Sequence, residues 1–253
     1  MISMKCKSAL NKSRLYGLDY TINPYYGCSH ACIYCYVPSL IGITHDEFRV
    51  AKPKENIVDV LRKEIRKKKT GVVGISTATD AYQPLERKYG LTRRILKLLQ
   101  KYRFPIDIQT KSTLVLRDVD IIKEFDYASV GITITTLNEE IAKKWEPFSP
   151  LPFYRLETAK KLIEHDIHAY IFFGPVFPLM KREEVKYTME EFINAGIKEI
   201  VIDKLHIKKG LEENIKRVFP EQWKKIIKKD GFNEILNEIR KFEGKIEIKM
   251  AWE

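Results

Sequence analysis

Short apolar strands alternating with amphipathic helices predict an α/β fold, a partial (βα)6 barrel of parallel strands with a helical C-terminal extension. The length, 253 residues, suits one such barrel and is short for two comfortable domains. With 44% hydrophobic and 11% aromatic residues the chain can bury a sizeable core, which excludes a disordered basic tail.

The elements follow in order. An extended stretch at 18–23 leads through Pro24 and Gly27 into a cysteine-rich loop. Residues 56–69 read as a helix with Ile57, Val60, Leu61 and Ile65 on one face. A buried strand at 71–76 precedes a helix at 91–101 carrying Leu91, Ile95, Leu98 and Leu99. Strand 106–110, short helix 119–125, β-branched strand 129–135, helix 154–165, strand 167–173, helix 182–194 and strand 197–203 continue the alternation. Helices of this length between strands imply parallel crossovers. Beyond residue 203, amphipathic helices at 211–229 and 232–242 and an edge strand at 245–250 are expected. The chain thus divides into a core barrel over 1–205, with an N-terminal extension over 1–16, and a basic helical extension over 206–253.

The 45 Lys and Arg against 34 Asp and Glu leave +11. From Lys204 to Lys229, nine Lys and Arg face three Glu, so +6 of that excess sits in about a tenth of the chain. Lys208-Lys209, Lys216-Arg217, Lys224-Lys225 and Lys228-Lys229 recur there, with Phe219 and Trp223 between them. Such a segment suits backbone phosphates and stacked bases. A plain solvated helix face accounts for the same pattern.

Of four cysteines, three fall within eight residues, Cys28, Cys32 and Cys35. A disulfide framework would spread its cysteines. The start has no apolar run fit for a signal peptide, and no 18-residue apolar stretch occurs. A cytoplasmic protein without a membrane span, with reduced or metal-bound thiols, is expected. A structural zinc needs four ligands, and His30 or Cys6 is awkwardly placed to supply the fourth. Three thiolates suit a cubane iron–sulfur cluster with one iron left open, although a zinc knob stays a possible reading.

CX3CX2C with an aromatic residue before the last cysteine resembles the radical S-adenosylmethionine (SAM) superfamily. The longer string NPYYGCSHACIYCY at 23–36 resembles its spore photoproduct lyase-like branch, often labelled DNA repair photolyase. The resemblance continues through TDAYQPLE at 79–86, LTRR at 91–94, TKS at 110–112, LRD at 116–118, WEP at 145–147 and Arg155-Leu156. It covers about residues 15–205 and implies a 4Fe–4S cluster on Cys28, Cys32 and Cys35. In such enzymes the open iron chelates SAM, and a reducing donor of flavodoxin or ferredoxin type triggers its cleavage to a 5′-deoxyadenosyl radical that abstracts hydrogen from a substrate. The resemblance places Tyr34 against the adenine and Lys111 against SAM.

Other strand ends supply further candidates. Thr79 and Asp80 suit the SAM ammonium, or else an ordinary cap or turn. Thr133 and Thr135 alternate with Ile132 and Ile134 and share one face, fit for ribose or carboxylate or for plain strand packing. Tyr82, Gln83 and Arg155 are candidate substrate contacts, Arg155 alternatively an ion pair with Glu146. The apolar residues of 172–178 suit an adenine pocket. His45, His165, His168 and His206 share no ligand spacing and read as structural or surface groups. Spore photoproduct lyase uses a cysteine near the second strand's end, and 75–80 has none, so lyase activity does not carry over. A radical SAM enzyme acting on nucleic acid leads. A radical SAM enzyme on a peptide or small metabolite, and a non-catalytic zinc or nucleic-acid-binding protein, are the alternatives.

Overall fold

The computed structural model describes residues 3–228 and 231–251. Its main sheet has eight strands. Six form the parallel βα series: β2 (Tyr20–Ile22), β5 (Val73–Ile75), β6 (Ile106–Thr110), β7 (Ala128–Thr133), β8 (His168–Phe173) and β9 (Glu199–Ile202). They lie side by side in chain order. β1 (Asn11–Lys12) pairs antiparallel with β2 at one edge, and β10 (Glu247–Met250) pairs parallel with β9 at the other. A separate ribbon joins β3 (Tyr25–Tyr26) to β4 (Lys52–Pro53). The sheet is an open partial barrel, as expected, with the C-terminal strand as its outermost parallel member.

Burial follows strand alternation. In β6, Ile106 and Ile108 are fully buried while Asp107 and Gln109 point the other way, partly exposed. Asp107 reaches Ser129 of β7 and the Tyr170 hydroxyl of β8, so the concave face is polar there. Tyr170 crosses Gly131, where a Cβ would overlap its ring. The outer face is covered by helices Ile57–Glu64, Leu91–Lys101, Pro152–Glu164 and Arg182–Asn194. The first buries Ile57, Val58 and Leu61, the second Leu91, Ile95, Leu96 and Leu99, as a 3.6-residue period requires.

Differences from expectation have local causes. The helix expected at 211–229 is two, Leu211–Val218 and Trp223–Lys228, because Pro220 lacks an N–H and drives Phe219 out of the helical region. Short helices at Val37–Ile41, His45–Phe48, Leu85–Tyr89 and Glu139–Trp145 went unpredicted, each shorter than two full helical turns of pattern. Helix Phe232–Arg240 packs on Arg182–Asn194, joined by an Arg182–Glu238 contact of 3.0 Å. Among the described residues no helix is long and apolar enough to cross a membrane.

Candidate active site

The cysteine loop follows β3 and is pinned at several points. Gly27 has φ +76°, and a Cβ there would lie 2.5 Å from the Phe48 carbonyl oxygen, so only glycine fits. The Cys28 N–H donates to that same oxygen at 2.8 Å, and the Ile33 N–H donates to the Trp145 carbonyl at 3.0 Å. Gln83 binds the loop with both ends of its amide. Its Oε1 accepts from Ser29 N and Oγ at 3.0 and 3.2 Å, and its Nε2 donates to Gly27 O at 3.2 Å. His30 places Nδ1 3.2 Å from the Phe148 carbonyl, while its buried Nε2 makes no hydrogen bond and lies 3.3 Å from Asp80 Oδ2.

All three loop cysteines line a cavity of about 510 Å³ at the C-terminal ends of the parallel strands, where barrels of this kind carry their sites. Burial raises all three thiols. Cys35 is pushed up to about 12 by desolvation and then by neighbouring Cys32. Cys28 is raised by burial and then by Asp80, and Cys32 by burial. Among the described residues no three His, Cys, Asp or Glu groups converge on one ion-sized point. A tetrahedral zinc needs such convergence and a fourth ligand. His30 turns Nδ1 to the Phe148 carbonyl and Nε2 towards Asp80, and Cys6, outside the cavity lining, is held by Asn56, whose Oδ1 accepts from Cys6 N at 2.8 Å. Three thiols lining one open cavity are a donor set that suits a cluster with one free corner.

The other walls come from strand ends. Ser76, at φ +64° just past β5, and Thr79 line the cavity, and both hydroxyls are buried without a partner. Two orphaned hydroxyls facing a cavity suit a polar ligand. Asp80 serves the fold: Oδ1 accepts from Tyr82 N at 2.8 Å and Thr110 Oγ1 at 2.7 Å, and Oδ2 accepts from Lys111 N at 2.9 Å. Burial opposes its charge, but His30 and these donors hold its carboxyl far below the usual range.

Lys111 lines the cavity with its Nζ 5.7 Å from the Tyr34 ring centroid. Burial disfavours its charge, yet Cys32 and Glu146 raise its pKa overall. Tyr34 donates its hydroxyl to Glu146 and packs on Trp145 with ring centroids 5.1 Å apart. Glu146 meets Arg155 Nη1 at 2.6 Å, with both side chains almost fully buried. Burial would raise Glu146, but Arg155 and then Lys111 hold it low.

Several expected substrate contacts are absent from the cavity. Arg155 lies outside it, binding Glu146, Pro150 O at 2.6 Å and Thr133 O at 3.1 Å, since a buried guanidinium needs many acceptors. Gln83 is fully buried and committed to the cysteine loop, and Tyr82 is buried with its ring 6.0 Å from the Arg117 guanidinium carbon. Thr133 lines the cavity, whereas Thr135, past the end of β7, does not and keeps an unpartnered hydroxyl. Strand alternation stops at Thr133, so the shared face stops with it. Phe219 is buried against Trp145 and Phe177, at 5.9 and 5.8 Å, and is unavailable to a base. Trp223 is half-buried between Lys216 and Lys224, at 5.3 and 5.6 Å from its ring. Lys229 lies outside the described residues.

Three site features escaped the sequence reading: Ser76, His206, and His45, which lines the cavity with a buried, unpartnered Nε2. Ser76 carries no motif, only its place after a strand. His206, read as structural or surface, lines the cavity with its Nε2 2.9 Å from Asp203 Oδ1. The signal was an Asp ending a strand with a His three residues later. The cavity rim is basic, with Arg49, Lys143, Lys144, Lys204 and Arg217 against Asp46 and Asp203.

A family model described as the Radical SAM superfamily matches residues 22–192. An uncharacterized protein of Methanocaldococcus jannaschii is 33% identical over 252 residues, 95% of this chain and 93% of that protein. A radical SAM Nα-GlyT isomerase of Pseudomonas phage M6 is 22% identical over 185 residues, 71% of this chain but 38% of that protein. In structure, a spore photoproduct lyase mutant with bound AdoMet and dinucleoside spore photoproduct superposes with a TM-score of 0.71. The match is at 12% identity and covers 98% of this chain and 80% of that one.

Proposed function

The chain belongs to the radical SAM superfamily, and from that premise we propose that it carries a 4Fe–4S cluster on Cys28, Cys32 and Cys35 and acts on nucleic acid. It is an enzyme of the radical SAM class, with S-adenosylmethionine as the ligand its family uses. When bound, the cluster supplies the electron that splits SAM into methionine and a 5′-deoxyadenosyl radical able to remove a substrate hydrogen.

The chain's own residues then divide the remaining work. Ser76 and Thr79 accept hydrogen bonds from the SAM ammonium, and Lys111 pairs with its carboxylate. Asp80 takes a positioning role, because all its contacts are internal. Tyr34, fixed by Glu146 and Trp145, presents its ring beside Lys111 as a wall for adenine, with Thr133 near the ribose. The observation that carries this reading is the single cavity that gathers three thiols and two unpartnered hydroxyls at the strand ends.

A nucleic-acid substrate is supported by the basic rim and by Trp223 between two lysines. Anaerobic reconstitution with iron and sulfide tests the first half. A brown protein that forms 5′-deoxyadenosine from SAM on reduction supports it, and a colourless zinc protein refutes it. Oligonucleotide binding at low and moderate salt tests the second half, and absence of binding at low salt removes nucleic acid from the reading.

A further inference from the structure

The helix Val37–Ile41 starts two residues after Cys35, so Leu40 stands on its first turn, five residues beyond that cysteine. Leu40 is 62% exposed and Ile41 44%, and the helix carries no charged side chain. The segment after β9 is fastened beside it. Ser39 donates its hydroxyl to the Lys209 carbonyl at 2.6 Å, and Tyr36 sets its ring edge against His206 at 6.2 Å. Exposed Lys208 and Lys209 therefore flank an exposed apolar pair, next to one of the three site cysteines.

We propose that Leu40, Ile41, Lys208 and Lys209 form the docking face for an acidic one-electron carrier protein; this rests on the cluster assignment above. An apolar centre with a positive border suits a small transient protein contact, where charge guides encounter and the apolar patch supplies the grip. The helix offers neither a cation nor an aromatic ring of its own, so it is a poor track for phosphate or bases. The net +11 of the chain favours an acidic partner at long range. One electron passes from the carrier to the cluster beside Cys35: the carrier is oxidised, the cluster reduced, and no bond or proton changes place.

The test compares two reductants on reconstituted protein. 5′-Deoxyadenosine is measured with dithionite and with reduced flavodoxin or a 4Fe–4S ferredoxin, and binding of each carrier is measured by titration. The double variant Leu40→Glu/Ile41→Glu is expected to keep the dithionite rate and lose at least about tenfold in carrier-driven rate and affinity. Lys208→Glu/Lys209→Glu should weaken carrier binding mainly at low salt, because screening already mutes those charges at high salt. Unchanged carrier-driven rates in both variants would overturn the proposal. An equal loss with dithionite, repeated in the milder Leu40→Ser/Ile41→Ser variant, would place these residues in the fold and also overturn it. Wild-type dimers broken by the Glu pair without change in carrier-driven rate would assign the face to a second copy. If wild-type protein makes no 5′-deoxyadenosine even with dithionite, the cluster reading falls and this one falls with it; failure with the carriers alone sinks only the docking face.

Discussion

The two walls of the cavity are built differently. On the cysteine side, the bracing side chains are buried and committed: Gln83 to the loop backbone, Asp80 to three donors and the His30 ring, Arg155 to Glu146 and two carbonyls. Beside it, Lys204, Arg217 and His206 stand on a loop and a short helix at the rim, Arg217 exposed and the other two partly so, with Lys216, Trp223 and Lys224 close by in the chain. A buried network fixes one geometry, whereas long exposed side chains adapt to many ligands. The first wall is suited to an invariant cofactor and the second to a variable polyanion.

That contrast can be broken from either side. Replacing any one of Cys28, Cys32 and Cys35 with Ala should abolish cluster retention and reduce 5′-deoxyadenosine to background, while Cys6→Ala leaves both unchanged; iron content and product chromatography decide it. Arg155→Ala strands a buried Glu146 carboxylate and should cost about 3–5 kcal/mol. For a chain of this size that is roughly 10 °C in Tm, read by calorimetry. If Tm is unmoved, the cysteine wall is less rigidly braced than its contacts imply.

A pH test sharpens the same wall. Burial keeps the three thiols protonated, so loading must expel protons. Cluster retention against a chelator should improve from pH 7 to pH 8.5, by up to about tenfold per pH unit for each proton released. The metal-free fold should weaken only at higher pH. A folded-state pKa raised above the unfolded value near 9 contributes stability below pH 9, which is lost as the pH climbs towards the folded pKa. Gln83→Ala removes three hydrogen bonds and should cost about 1–3 kcal/mol, seen as faster cluster loss from a protein with unchanged far-UV spectrum. The smallest effect belongs to the adaptable wall. Lys216→Ala should weaken oligonucleotide binding a few-fold and reduce the salt slope by about one.

Sequence carried much of the plan. Helices 91–101 and 182–194 and strand 106–110 fall where their periodicity puts them, because each buries one continuous face. Spacing and strand-end position singled out the three cysteines and Lys111, and all four line one cavity. Gln83, Arg155 and Tyr82 were misread because polar side chains at strand ends look alike until long-range partners are known. Gln83 meets a loop 54 residues away, and Arg155 meets a strand 22 residues away. Phe219 was misread for the same reason: its burial depends on Trp145 and Phe177, which no helical period reveals.

The position of β10 bears on how the molecule is made. During synthesis the barrel strands emerge in spatial order, but the outer edge of β9 waits through three further helices before residues 247–250 reach it. Until then a row of backbone donors and acceptors is bare beside a nearly finished sheet, the kind of edge that recruits neighbouring chains. A nascent chain paused in the helical region is therefore the most aggregation-prone species on the route, and a chain stopped at residue 205 would hold that condition permanently. Lys249, which reaches Glu199 at 3.0 Å when β10 docks, puts a charge on the strand that then becomes the new border.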